Sequence, residues 1–254
     1  MLELRDVTRR YGALTAVSHL SFTVRPGDVL GYLGPNGSGK STTVKMLAGL
    51  MPPTRGQIVF DGRDIQDHLV EYKAQVGYVP EEAHVYTYLT GPEYLRLCGR
   101  LRGIAPAVLE QKIVRLLRLF DLDTDYHAPL SAFSKGMRQK ILLSAALLHN
   151  PRLVILDEPV SGLDISTALV LRTVVRALAS DGRIIFYSSH ELDTVERIST
   201  RVIILRAGKV VADDSASNLR ALMQAPSLED VFAQLAVHDD VDGVANALLE
   251  AVRS

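Results

Sequence analysis

The sequence predicts an α/β fold with a β-rich opening and an inserted helical segment. Three observations carry that expectation. Two apolar runs, Leu153-Val154-Ile155-Leu156 and Ile184-Ile185-Phe186-Tyr187, contain no charged residue, as suits strands buried on both faces of a parallel sheet. The first 33 residues alternate short strand-like runs with turn residues. From Gly91 to Asn150 the texture becomes helical, and beyond it strands and helices alternate again.

In chain order, Leu2–Val7 and Leu20–Val24 read as strands, Arg25-Pro26-Gly27-Asp28 as a turn, and Val29–Leu33 as a strand. A helix is expected over about Lys40–Ala48, closed by Gly49 and followed by Pro52-Pro53. The strand Gln57–Phe60 runs into Asp61-Gly62, a hairpin-type turn signal. Gln75–Val79 stops at Pro80. Helices follow at about Pro92–Arg102, Ala107–Phe120 and Lys135–His149, the last with Met137, Ile141, Ala145 and Leu148 on one face. Then come a strand at Leu153–Leu156, a helix at Ile165–Ser180, a strand at Arg183–Ser188, a helix at Glu191–Ile198 and a strand at Val202–Leu205. The expected organisation is one domain over 1–236, with a helical subdomain at about 83–150, and a helical tail over 237–254. The tail carries Val241, Val244, Leu248 and Val252 on one face. Asp239 and Asp240 at its start and Arg253 at its end suit the helix dipole.

Length and composition bound the function. The chain has 254 residues, 47 % hydrophobic and 22 % charged, which suits a globular protein and excludes disordered, collagen-like and disulfide-stapled classes. Its 28 basic and 29 acidic residues leave a formal charge of −1. A surface that coats nucleic acid is therefore not expected, and no nucleic-acid partner is predicted. Cys98 is the one cysteine, so no internal disulfide or multi-thiolate metal site can form, and it reads as a small buried hydrophobe. Met1 to Asp6 lacks the apolar core of a signal peptide. The longest stretch free of Asp, Glu, Lys and Arg is Tyr11 to Val24, 14 residues, and a spanning helix needs about 20 mostly apolar ones. A soluble, cytoplasmic protein is expected.

Gly34-Pro35-Asn36-Gly37-Ser38-Gly39-Lys40-Ser41-Thr42 fits G-x-x-x-x-G-K-[ST], after an expected strand and at the opening of an expected helix. Glycines let such a loop wrap so that several N–H groups point inward. The helix N-terminus adds a positive dipole end. Lys40 is the cation for β- and γ-phosphates, and Ser41 offers a hydroxyl to Mg²⁺. The run Leu153 to Leu156 ends in Asp157-Glu158. An apolar strand ending in two carboxylates fits a Walker B arrangement, with Asp157 orienting Mg²⁺ and Glu158 polarising the attacking water.

With these motifs in order, the sequence over about residues 2 to 235 resembles an ATP-binding cassette ATPase, the nucleotide-binding subunit of ABC transporters. Tyr11-Gly12 resembles the family's aromatic loop, in which the ring stacks on adenine. Phe133-Ser134-Lys135-Gly136-Met137-Arg138-Gln139 resembles the signature motif, Ser161-Gly162-Leu163-Asp164 the D-loop, and Ser188-Ser189-His190 the switch histidine. The resemblance implies a P-loop NTPase core of mainly parallel sheet with an N-terminal antiparallel β subdomain. It also implies ATP and Mg²⁺ as ligands, and a head-to-tail dimer in which Ser134 and Gly136 meet the γ-phosphate held by the partner protomer. Asp164 is carried over as a nucleotide-site residue, and His190 with Glu158 and Lys40 as catalytic.

Two departures stand out. The family's signature is L-S-G-G-Q, and here Phe133, Lys135 and Met137 replace its Leu, first Gly and Gln. Ser134 is expected to cap the following helix, which puts Lys135 in the first turn, where a cation opposes the dipole unless an anion completes the site. After Gly77-Tyr78-Val79-Pro80 the family's glutamine is replaced by Glu81, then Glu82. Glu81 is expected beside Mg²⁺. The Pro80-Glu81-Glu82 run, Ser134-Lys135-Gly136-Met137, and Ser227-Leu228-Glu229-Asp230-Val231-Phe232 are similar to the ABC-2 type exporter branch. The resemblance thus implies an export ATPase peripheral to the inner face of the cell membrane, working with a separate membrane-spanning permease. Alternatives at this level are an ABC-type ATPase without a membrane partner and another P-loop phosphotransferase. The first typically carries two cassettes or long coiled coils. A GTPase would carry N-K-x-D, and no Asn-Lys occurs.

Overall fold

The computed structural model describes residues 1–82, 84–160 and 163–236. Two sheets organise it. Strands β1 (Leu2–Tyr11), β2 (Leu14–Val24), β4 (Arg55–Phe60) and β5 (Arg63–Asp64) form an antiparallel sheet in the order β2-β1-β4-β5. Strands β3 (Val29–Leu33), β6 (Val76–Val79), β7 (Leu153–Asp157), β8 (Ile184–Ser188), β9 (Arg201–Arg206) and β10 (Lys209–Asp214) form a second sheet, ordered β10-β9-β3-β8-β7-β6. Its members are parallel except for β10, which runs antiparallel to β9.

The second sheet is buried on both faces, as its apolar runs require. Alternate residues divide between two cores. Leu30, Tyr32, Leu153, Ile155, Ile184 and Phe186 face the antiparallel sheet and helix α1 (Lys40–Leu47). Val29, Leu33, Val154, Leu156, Ile185 and Tyr187 face the helical side. The latter holds α3 (Gly91–Leu101), α4 (Pro106–Leu119) and α5 (Lys135–Leu147), the expected inserted segment, with α6 (Ile165–Ser180), α7 (Leu192–Ile198), α8 (Ala216–Met223) and α9 (Leu228–Ala236). A six-residue helix, α2 (Leu69–Ala74), precedes β6. Each fully buried Leu, Ile or Phe in these cores contributes about 1.5–3 kcal/mol of transfer free energy.

The expected elements are present with shifted edges. Asp61 and Gly62 both have positive φ, 50° and 81°, the geometry of the hairpin turn their sequence announced. β1 and β2 extend well past the expected Leu2–Val7 and Leu20–Val24, because their ladder is irregular. Register shifts flank Val7 and Arg9, Asp6 and His19 lie at φ 54° and 55°, and such bulges erase the alternation that reveals a strand. α2, β5, β10, α8 and α9 are elements the sequence pattern did not announce. The tail expected over 237–254, and Ser161 and Gly162 of the D-loop segment, lie outside the described residues. Among the described residues no helix is long and apolar enough to cross a membrane.

Adjacent strands β3, β8 and β7 all point their carboxyl ends the same way. In open α/β sheets that edge is where ligands bind, and here it gathers the motif residues.

Candidate active site

The loop 34–39 leaves β3 and enters α1 at Lys40. Gly37 and Gly39 adopt φ of 77° and 106°. A Cβ on Gly39 would also lie 2.6 Å from the Ala16 carbonyl oxygen, so conformation and space both require glycine there. Gly34 is buried, Pro35 half-buried, and Asn36 and Gly37 exposed. Ser38 is buried, with its amide donating to the Pro35 carbonyl at 3.1 Å and its Oγ unpartnered. Thr43 Oγ1 donates to the Gly39 carbonyl and accepts from the Tyr32 hydroxyl at 3.1 Å, fastening α1 to the sheet. Lys40 Nζ donates to the carbonyls of Gly34 and, at 3.2 Å, Pro35. Burial pulls its pKa down, and Glu158, Asp157 and Glu81 oppose that pull.

The carboxylates arrive from β7. Asp157 pairs with Ser188 of β8 in the ladder. Burial pushes its pKa up to about 6, against the nearby Ser188 hydroxyl, with Glu81 and Glu158 adding to the rise. Glu158 follows with φ 47°, a region costly for a non-glycine residue and concentrated at functional sites. Its amide donates to the Ser188 carbonyl at 2.9 Å. Three groups converge on one oxygen, Glu158 Oε2: the Ser189 hydroxyl donates at 3.1 Å, the His190 amide donates at 3.3 Å, and His190 Nδ1 lies 2.8 Å away. Glu158 is buried while the His190 ring is largely exposed. The Glu158 carboxylate is thus contacted by a group that itself reaches solvent.

Two cavities flank the loop and share Pro35, Asn36, Lys40 and Ser41. One, of about 460 Å³, is lined also by Tyr11, Leu14, Thr15, Ala16, Gly37, Gly39, Thr42 and Ala207. The other, of about 400 Å³, is lined also by Gly34, Glu81, Asp157, Glu158, His190 and Phe232. The structure therefore brings the loop, both carboxylates, Glu81 and the histidine together, with Tyr11 on the far side of the loop. The Tyr11 ring lies 4.9 Å from the Arg9 guanidinium, and its hydroxyl touches Met51 Sδ at 3.1 Å.

Ser38, buried within the loop, lines neither cavity, and three further expected site residues stand apart from both. Ser134 caps α5, its Oγ accepting from the Met137 amide at 3.2 Å, as expected, and Gly136 sits in the first turn. Asp164 caps α6, accepting from the Thr167 amide at 2.9 Å and the Thr167 hydroxyl at 2.7 Å, which holds its carboxyl below the usual range. Within the chain, these residues terminate helices. Sequence reasoning missed Ser189 as a donor to Glu158, though the Ser-Ser-His run contained it. It also gave Phe232 no place at the site.

The donor set fits a hard divalent cation. A hydroxyl from Ser41 and carboxylates from Asp157 and Glu81 share one cavity with Lys40, and a cation would relieve the buried Asp157. Among the described residues no three carboxylate, histidine or cysteine groups are arranged to hold a metal alone. Mg²⁺ is commonly bound so, by one or two protein groups plus phosphate oxygens.

Comparison with known proteins agrees. Residues 17–161 match the family described as "ABC transporter". The linearmycin resistance ATP-binding protein LnrL of Bacillus subtilis is 32 % identical over all of this chain and 79 % of its own. The ABC transporter ATP-binding protein NatA of the same organism is 32 % identical over 91 % of this chain and 96 % of its own. A solved structure of an ATP-binding subunit of an ABC transporter superposes with a TM-score of 0.87 at 34 % identity, covering 92 % of this chain and 99 % of that one. A matched family over more than half the chain, relatives aligned over most of their length and a shared fold lead to one conclusion: this chain belongs to the ABC transporter family, as an ATP-binding subunit.

Proposed function

We propose that the chain hydrolyses ATP to drive export through a separate membrane-spanning subunit, docked on the inner face of the cell membrane. The observation that carries the hydrolytic reading is Glu158, held through one oxygen by two hydrogen bonds and the adjacent His190 ring in a cavity shared with Lys40. Lys40 and the inward amides of 34–42 bind the phosphates. Tyr11 stacks on the base from the neighbouring cavity. Ser41, Asp157 and Glu81 would hold Mg²⁺, which when bound supplies charge neutralisation on the phosphates. Glu158 polarises the attacking water, and His190 fixes the carboxylate while facing the terminal phosphate.

Residues 1–236 act as one ATPase domain with the helical subdomain at about 83–150, and 237–254 as a tail. Ser134, Gly136 and Asp164 stand outside the cavities of their own chain, and this supports a site completed by a second protomer, head to tail. Export, and membership of the ABC-2 branch, are supported by the residues 81–82 and 227–232 and by a relative named for resistance to linearmycin.

The test is Glu158→Gln. It should bind ATP with near wild-type affinity, hydrolyse it about 10²- to 10⁴-fold more slowly, and accumulate as a nucleotide-bound dimer in size-exclusion chromatography. Wild-type turnover by a folded variant would remove Glu158 from the role.

A further inference from the structure

We propose that Phe232, carried by α9, the last helix among the described residues, is the apolar wall of the carboxylate-side cavity and controls water access to Glu158. The proposal rests on the ATPase reading above and extends the site to an element that reading does not use.

The segment Ser227-Leu228-Glu229-Asp230-Val231-Phe232 has a physical reading position by position. Ser227 and Asp230 form a reciprocal cap: the Ser227 hydroxyl donates to the Asp230 carboxylate, and the Asp230 amide donates back to Ser227 Oγ at 3.2 Å. Leu228 and Val231 are fully buried and seat the helix in the core. Glu196 of α7 accepts from the Leu228 amide at 3.2 Å and pairs with Arg220 at 3.1 Å. Arg206 of β9 donates to the Leu235 carbonyl at 2.9 Å. With cap, core and both flanks fixed, the next residue after Val231 presents its ring to the cavity that holds Lys40, Asp157, Glu158 and His190.

That ring is the single phenyl group among the described lining residues, in a cavity otherwise made of charged and polar groups with Gly34 and Pro35. A hydrocarbon face offers water no hydrogen bond. It therefore removes surplus water positions around Glu158 and leaves the Lys40 charge less screened. α9 packs on α7, which begins just after His190. The wall and the histidine that holds the base are thus parts of one rigid unit. The ring lines only the carboxylate-side cavity, whereas Tyr11 lines only the other. Phe232 should sense the terminal phosphate and be nearly blind to a diphosphate.

The chain has no tryptophan, so Phe232→Trp places a single indole in the wall. ATP should change its emission, and ADP should change it much less. In steady-state assays Phe232→Ala should lower kcat about tenfold with KM within about twofold, and Phe232→Leu should recover most of the loss. Calorimetry should give Phe232→Ala the wild-type affinity for ADP. Three results would overturn the proposal: indole emission indifferent to ATP while calorimetry records ATP bound, Phe232→Ala turning over like wild type, or loss of ADP and ATP binding together. A wild-type chain that binds no ATP would instead overturn the ATPase reading itself.

Discussion

Asp157 and Glu158 are adjacent carboxylates in opposite circumstances. Glu158 Oε2 accepts from the Ser189 hydroxyl and the His190 amide and lies beside the His190 ring. Asp157 is buried, and burial outweighs the opposing effect of the nearby Ser188 hydroxyl, so its pKa rises from 3.8 to about 6. The folded state therefore holds the Asp157 proton more tightly than the unfolded chain. Stability from this group is full below about pH 4, falls as pH rises through about 6, and stays reduced above. At neutral pH the ionised form costs about 2–3 kcal/mol in the absence of a cation, at about 1.4 kcal/mol per pH unit. Asp157→Asn should thus melt several degrees higher than wild type at pH 8 without nucleotide, with the difference vanishing near pH 4. Added Mg²⁺–ATP should stabilise wild type and leave the variant nearly unmoved. Differential scanning calorimetry at both pH values checks each part, and an equal melting temperature at pH 8 would remove the penalty assigned to Asp157. Which residues sit at this edge was legible from the sequence, because loop, strand-end carboxylates and histidine each occur at the end of a readable strand. The strained φ of Glu158 and the convergence of donors on one oxygen were not, since both depend on β7 and β8 lying side by side.

At the level of elements, α6 and the turn after β8 are joined by a chain of buried polar contacts. Arg172 of α6 donates to Thr194 Oγ1 at 2.6 Å, and Thr194 donates to the Glu191 carboxylate at 3.0 Å. The Glu191 amide donates to Ser189 Oγ at 3.0 Å, and Ser189 donates to Glu158. Thr194 is 1 % exposed, so water cannot replace its hydroxyl. The chain ties the helix capped by Asp164 to the loop that holds Glu158. Thr194→Val keeps the shape and breaks the link, at a cost of about 1–3 kcal/mol for the groups left unpaired. We expect kcat to fall several-fold with KM unchanged, a split that a purely structural defect would not produce. Kinetics alongside thermal melts distinguish the two. Such a strut leaves no local trace in sequence, because its members belong to different elements and Arg, Thr and Glu on helices ordinarily read as solvated positions. The same reasoning explains α2, β10 and α8. α2 has six residues, and β10 is an edge strand of alternating half-buried and exposed residues. Neither carries the apolar periodicity that made β3, β7 and β8 plain. The helical segment was most legible at α4, which buries Leu109, Ile113 and Leu117 on one apolar face, whereas α5 buries Gln139 and Ser144 among its apolar residues.

At the scale of the whole molecule the site is lopsided. One chain supplies the phosphate loop, the carboxylates, the histidine and Phe232, yet its Ser134 and Gly136 cap a helix elsewhere. Lys135 opens α5, where a positive charge meets the positive end of the helix dipole. An anion brought against that helix end would reverse the sign of the local interaction, and the terminal phosphate held on another protomer's loop is such an anion. Two identical chains related by a two-fold axis would then make two equivalent composite sites, since each contributes the half that the other lacks. This predicts complementation. Lys40→Ala spoils the loop and leaves the signature helix intact, whereas Ser134→Arg places a long cation at the cap and leaves the loop intact. Each variant alone should be inactive, because every site in its homodimer carries one spoiled half. In a mixed dimer, one site joins the two spoiled halves and the other joins the two intact ones. With random assortment at equal concentrations, half of the dimers are mixed. Activity should therefore return to about a quarter of wild type if the intact site works independently. Mixing the purified variants, proving mixed dimers by differential tags, and measuring ATPase activity tests this directly. Activity that stays at the level of the separate variants, with mixed dimers present, would mean that the signature helix acts within its own chain or that the two sites fire only together.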